Sequence, residues 1–435
     1  MEFAWMAIVL LAALALLLIV GVWIALTLLG VGWMAMVFFT GSPAGPLMAT
    51  TIWGSSTSWA LTALPLFIWM GEILFRTRIS EDMFQGLAPW MAPLPGRLMH
   101  CNVFGCGIFA AISGSSAATA ATIGRITIPE LLKRGYDEQM AIGSLAGAGT
   151  LGLLIPPSII MIVYGVAADV SIARLFVAGV IPGIVLMLLF AGYIALWAAL
   201  NPHKTPPREG ETTLLQKIYA ARHLIPAVLL IAAVIGSIYS GVATPTEAAA
   251  IGVAGALILA AIGGSLNWQS FAASVMGATR TSCMIAFILA GAAFLTVAMG
   301  FTGVPRIMAE WISAQGFSAV HLIVVLTILY IILGCFIDGI SMVVLTSSVI
   351  LPSVKVANID LLWFGIFIVL VVEMAQVTPP VGFNLFVLQG LTGKNMFVVA
   401  RAALPFFFLM VAAVALIWFF PGLVTYLPGR MFNLR

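Results

Sequence analysis

Of the 435 residues, 63% are apolar and only 8% are charged, against about a quarter charged in soluble domains, so a soluble domain is excluded and a lipid bilayer is the expected surrounding. A net charge of +3 spread over such a length forms no basic stripe, and no nucleic-acid partner is expected. The cysteines Cys101, Cys106, Cys283 and Cys335 form no CxxC pair, which gives no reason to expect a disulfide, a metal cluster or a cofactor.

Residues 5 to 20 are apolar but lack a basic leader and a cleavage site, so they read as a retained first helix rather than a signal peptide. The first half then runs through crossings at about 4–24, 25–41 and 58–75, a re-entrant hairpin at 98–124, a broken helix at 139–168 and a crossing at 175–199. Segment 40–58 has no Lys or Arg and reads as an outside loop. Segments 76–97 (Arg76, Arg78, Arg97) and 125–138 (Arg125, Lys133, Arg134) are both basic and read as inside loops. A single crossing would separate those two loops, so 98–124 must enter and leave on one side.

Residues 201–223 are the one long polar stretch, read as a cytoplasmic linker from Lys204, Arg208, Lys217 and Arg222. The second half, 224–435, repeats the first half, 1–200: crossings at about 224–241, 246–263 and 281–300, a hairpin at 321–351, a broken helix at 361–390 and a crossing at 403–425. Inside bends fall at 265–280 and 391–402. Outside segments fall at 242–246, 301–320 and 352–360. This frame leaves only Arg174, Arg306, Lys355, Arg430 and Arg435 away from the cytoplasmic loops. Five crossings plus one hairpin per half invert the second copy and put both termini outside. The fold class expected is an all-α polytopic membrane protein of two inverted repeats, each with a hairpin and a broken helix.

The repeat is marked by its prolines. Pro129 with Pro156-Pro157, and Pro352 with Pro379-Pro380, share one spacing and one constant offset. Paired interruptions at corresponding places in two halves point to a transporter binding site. Each Pro pair removes backbone donors and splits its helix, and freed groups are tolerated at membrane depth only where they are buried or line a wet cavity. The freed carbonyls can hold a cation, and the new N-termini can hold an anion. Facing each break is a tip of small hydroxylated residues, Ser113-Gly114-Ser115-Ser116 and Asp338-Gly339-Ile340-Ser341. Asp338, an acid inside the membrane, reads as a sodium or proton ligand. Glu373 stays open between ligand and packing acid. Small residues also line helix contacts for packing alone, but the matched prolines favour a site. Thr244-Pro245-Thr246-Glu247 reads as a helix cap. His100 and His321 read as interfacial hydrogen bonders, and Trp53, Trp59, Trp90, Trp268 and Trp311 as belt anchors. An intramembrane hydrolase using Ser113 or Ser115 with His100 is disfavoured, because no Ser–His arrangement recurs in both halves.

Several strings are distinctive. Ser113-Gly114-Ser115-Ser116-Ala117-Ala118-Thr119-Ala120-Ala121-Thr122-Ile123-Gly124, Ile128-Pro129-Glu130, Lys133-Arg134-Gly135-Tyr136 and Ile155-Pro156-Pro157-Ser158 occur in the first half. Ala243-Thr244-Pro245-Thr246-Glu247-Ala248-Ala249 and Thr378-Pro379-Pro380-Val381-Gly382-Phe383-Asn384-Leu385-Phe386 occur in the second. Together they resemble the large membrane subunit of tripartite ATP-independent periplasmic (TRAP) transporters over nearly the whole chain. The resemblance implies no enzyme but a sodium-driven uptake system of a bacterial inner membrane, moving an organic acid, a dicarboxylate by default, by an elevator movement. It implies two partners, a small four-helix membrane subunit and a periplasmic substrate-binding protein, with sodium ions as the coupling ions. It places sodium at Ser113, Gly114, Thr150, Pro156, Asp338, Gly339, Thr346, Thr378 and Gly382. It places substrate at Ser113, Ser115, Ser116, Ser158, Ser341, Pro380 and Asn384. The alternative is a stand-alone ion or citrate-like anion transporter of the same superfamily without a binding protein.

Overall fold

The computed structural model describes residues 2–207, 213–307, 310, 318–334, 336–379 and 382–431. Among the described residues every element is helical and there is no strand. That is what hydrocarbon demands of a chain that does not close a barrel, since a helix satisfies its own backbone groups. Pro380, Cys335, Arg208, Trp311 and Arg435 lie outside the described residues.

The first half comprises α1 (Glu2–Ile19), α2 (Ile24–Phe39), α3 (Ala44–Ser56), α4 (Ala63–Phe75), α5 (Ile79–Met91), α6 (His100–Ser113), α7 (Ser116–Lys133), α8 (Glu138–Leu154), α9 (Ile159–Ala168) and α10 (Ile172–Leu200). After α11 (Leu214–Ala221) come α12 (Ile225–Tyr239), α13 (Pro245–Ile262), α14 (Trp268–Thr302), α15 (Ala319–Gly334), α16 (Gly339–Val356), α17 (Leu361–Gln376), α18 (Phe383–Thr392), α19 (Met396–Phe419) and α20 (Gly422–Arg430). Among the described residues five helices are long and apolar enough to cross a bilayer, and eight spans are counted if each bent pair is one. The outer faces of α1, α2, α12 and α19 leave Leu16, Phe38, Leu229 and Phe408 exposed, the surface that lipid or another subunit would cover.

Scarce polar residues set where helices begin. Asp137 accepts the Met140 amide at 2.9 Å ahead of α8, and Asp360 accepts the Trp363 amide at 2.8 Å ahead of α17. Capping boxes at Thr244/Glu247 and Asn267/Ser270 start α13 and α14.

The structure redraws several expected loops. The outside segment 40–58 contains α3, because after Pro43 nothing in Ala44–Ser56 interrupts a helix once Pro46 falls in its first turn; α3 is bent 54° from the following helical run. The inside segment 76–97 holds α5, which has an acidic first turn (Glu81, Asp82) and buries Ile79, Met83 and Leu87 one turn apart. The second arm of the first hairpin runs to Lys133 rather than 124, and the chain turns at Gly135 with φ +79°. No bend spans 265–280: α14 starts at its cap and runs unbroken for 35 residues. The 201–223 segment carries a short 3-10 turn at Pro202–Lys204 as well as α11.

The packing is reciprocal. The second arm of the first hairpin, α7, packs on α18, and the second arm of the second hairpin, α16, packs on α9. Likewise α8 packs on α19 while α17 packs on α10, and α2 packs on α14 while α13 packs on α4. At the centre, α8 is buried from Met140 to Leu154. Its glycines let neighbours close in: a Cβ on Gly143 would lie 2.2 Å from the Ala402 carbonyl oxygen, and one on Gly152 2.5 Å from that of Ser115.

Candidate functional site

Two helix breaks and two hairpin tips meet in the interior. The first break separates α8 from α9 at Ile155–Ser158 and bends the pair by 42°. Ile155 is extended, as a residue before proline must be. Ser158 caps α9 by accepting the Met161 amide at 3.4 Å and is fully buried. The first tip turns at Gly114, φ +62°, where a Cβ would sit 2.7 Å from the Pro157 carbonyl oxygen. The Gly114 carbonyl accepts the Ile159 amide at 3.3 Å, so tip and break are pinned backbone to backbone. Ser115 caps α7. The Ser113 and Thr119 hydroxyls share a hydrogen bond of 2.7 Å.

The second tip begins α16 at Asp338. Its Oδ1 accepts the Ile340 and Ser341 amides at 3.0 and 3.1 Å, and its Oδ2 accepts the Ser341 hydroxyl. A carboxylate offers about four lone-pair positions, so this cap leaves room for a cation. The aspartate is exposed whereas Ser341 is fully buried. Gly339 lies against the second break: a Cβ there would meet Val372 at 2.4 Å, Ile160 at 3.1 Å and the Gln376 amide nitrogen at 3.2 Å. A cavity of about 50 Å³ lies here, lined by Asp338, Gly339, Ala375, Gln376 and Phe383 among others. It has room for a water or an ion but not for an organic acid. A larger cavity of about 390 Å³, bordered by Trp59, Gly165, Asp169, Ser171 and Thr246, lies at the far end of α9, its near edge about 10 Å from Ser158 at 1.5 Å per residue.

Gln376, the last residue of α17, joins the two halves. Its Oε1 accepts the hydroxyl of Ser116 from the first tip, while its nitrogen lies beside Gly339 of the second. The sequence reading did not select this residue. Its signal was a lone amide ending an apolar run two residues before Thr378-Pro379. Thr378 returns its hydroxyl to the Met374 carbonyl at 2.7 Å, and the Gly382 amide donates to the Thr378 carbonyl at 3.0 Å.

The other predicted residues have different surroundings. Thr150 donates to the Gly147 carbonyl at 2.7 Å and faces the Met410 sulfur. Thr346 lies between the two arms of its hairpin, bonded to the Tyr330 hydroxyl at 2.6 Å. Asn384, in the first turn of α18, is fully buried, and neither side-chain polar atom finds a partner among the described residues. The same is true of both oxygens of Glu373, one turn before Gln376. Among the described residues no three His, Cys, Asp or Glu side chains converge. A cation at either tip would therefore be held by hydroxyl and carbonyl oxygens, with Asp338 the carboxylate nearest the second.

The family model described as "Tripartite ATP-independent periplasmic transporter, DctM component" matches residues 11–423. The chain is 30% identical over 383 residues to the C4-dicarboxylate TRAP transporter large permease protein DctM of Pseudomonas aeruginosa, covering 88% of this chain and 89% of that one. It is 32% identical over 385 residues to the ectoine/5-hydroxyectoine TRAP transporter large permease protein UehC of Ruegeria pomeroyi, covering 86% and 87%. The crystal structure of the YdaH transporter of Alcanivorax borkumensis matches with a TM-score of 0.65 over 93% of this chain and 98% of that one at 12% identity, a likeness of fold.

Proposed function

The chain belongs to the DctM-component family of tripartite ATP-independent periplasmic transporters, and from that premise we propose that it is the large permease of a sodium-driven organic-acid uptake system. As a member of that family it is a multi-pass membrane transporter and not an enzyme. The finer reading is ours: it sits in a bacterial inner membrane and takes a carboxylate, a C4-dicarboxylate by default, from a periplasmic binding protein. A small membrane subunit completes the complex. The two hairpins and broken helices move together as an elevator past the remaining helices.

One observation carries this reading: Ser116 of the first tip bonds to Gln376 at the second break, so polar groups from both halves converge where both helices are interrupted. Such a junction supplies what a carboxylate needs. Hydroxyl and amide donors from Ser116 and Gln376 and the N-termini of α9 and α18 favour the anion. Carbonyls freed at the breaks and the Asp338 carboxylate favour a small cation alongside it. The reciprocal packing supports two repeats related by a pseudo-two-fold axis, and such repeats place their shared site at the interface. With the tips closed on the breaks, a cargo larger than an ion requires them to part.

The test is uptake of a labelled C4-dicarboxylate into proteoliposomes holding this chain and its small subunit, with the binding protein outside. Uptake should require both the binding protein and an inward sodium gradient. Equal uptake without the sodium gradient would refute the coupling, and equal uptake without the binding protein would refute the delivery.

A further inference from the structure

Neither oxygen of Glu373 takes part in a cap or a tip contact among the described residues. It is wholly buried in α17, one helical turn before Gln376 and hence on the same face. Its neighbours one turn away along α17 are otherwise apolar: Val369, Leu370 and Val377. Facing it is the backbone of Leu154, the last residue of α8, yet neither carboxyl oxygen completes a hydrogen bond with a described residue. An ionised carboxylate held there without donors is strongly disfavoured against a neutral carboxyl.

The titratable groups on the helices packed against α17 give it no counter-charge. Tyr164 of α9 donates to the Leu361 carbonyl, Tyr330 of α15 is bonded to Thr346, and Asp338 is held by its cap. Glu138, at the far end of α8, pairs with Lys394. Tyr193 of α10 packs on Phe406, and Tyr426 of α20 lies under Arg430. His321 of α15 bonds Ser318. The other cations, Arg174, Lys355 and Arg401, lie within two turns of helix ends, and α18 carries no charged side chain.

We propose that Glu373 is a proton-carrying site of the transport cycle. It is protonated while the tips are closed on the breaks, and it gives its proton to water when the junction opens. Because cargo requires the tips to part, the loaded carrier crosses with the carboxylate ionised, and the empty carrier closes on a proton taken from water inside and returns it to water outside, so one proton leaves for each cargo taken in. No other chemical change is involved. The proposal rests on the transport reading of the same junction and adds to it a second coupling ion.

The test compares wild type, Glu373→Gln and Glu373→Asp in proteoliposomes with the small subunit, the binding protein and a fixed sodium gradient. A one-unit outward proton gradient, acid inside, should raise wild-type accumulation of labelled C4-dicarboxylate about tenfold. E373Q should accumulate it regardless of that gradient, and E373D should keep the response. An unchanged proton response in E373Q would overturn the proposal. So would a shifted sodium half-saturation in E373Q with no loss of pH response, which would make the residue a sodium ligand instead. A second readout needs no uptake. The infrared difference between wild type and E373Q at neutral pH should contain the C=O stretch of a protonated carboxyl, and its absence would overturn the assignment. If wild type takes up no dicarboxylate, the transport reading fails on its own while the carboxyl band still decides the protonation of Glu373.

Discussion

Gly114→Ala is the sharpest perturbation of the closed junction. Gly114 has φ +62°, and an added Cβ would lie 2.7 Å from the Pro157 carbonyl oxygen, a backbone atom that no rotamer change can move. The left-handed conformation costs an alanine about 1–2 kcal/mol. Forcing a methyl into so close a contact adds about 1–3 kcal/mol. The closed tip should thus be destabilised by roughly 2–5 kcal/mol, which is thirtyfold or more in its population at 1.4 kcal/mol per factor of ten. Gly135 is the control: its φ is +79°, but an added Cβ would meet nothing within 4 Å. Gly135→Ala carries only the conformational term. Thermal unfolding of the detergent-solubilised chain should show both variants destabilised, G114A more. Proteoliposome uptake should be lost in G114A and kept in G135A. Equal uptake in the two variants would refute the argument that contact between tip and break is what transport needs.

Asp338→Asn should keep α16 capped, since asparagine caps as well as aspartate, while raising the sodium concentration for half-maximal uptake. An unchanged sodium dependence would exclude Asp338 as a ligand. Gln376→Leu should raise the apparent KM for the dicarboxylate about tenfold, the worth of one hydrogen bond to a charged group, and leave sodium half-saturation alone; the reverse split would remove Gln376 from the substrate site. Thr244→Ala breaks the capping box of α13 and should cost about 1 kcal/mol in unfolding without altering uptake kinetics. A change in KM there would mean that the cap has a role in transport.

The breaks were legible because proline acts through the backbone: Pro156-Pro157 interrupts a helix whatever surrounds it. The first tip was legible for a similar reason, since glycine at position 114 permits the turn and serine at 115 caps α7. Side-chain partnerships across the repeats were not. Nothing local in the sequence says that Ser116 reaches Gln376, because that contact joins positions 260 residues apart. Thr346 and Thr150 sat in the right strings, yet their hydroxyls turn to Tyr330 and to the Gly147 carbonyl, a choice of rotamer set by packing. Helices α3 and α5 were read as loops because charge was used to place segments. Charge reports the side of the membrane, whereas the periodic burial of Ile79, Met83 and Leu87 reports the helix.

The exchange of half-helices between the hairpins has a further consequence. Because α7 rests on α18 and α16 on α9, the second arm of each hairpin leans on a half-helix of the other half. Neither arm can swing without stripping support from the opposite half, so parting one tip loosens both halves at once. For the same reason a polypeptide cut at the linker should regain activity only when its two fragments find each other again.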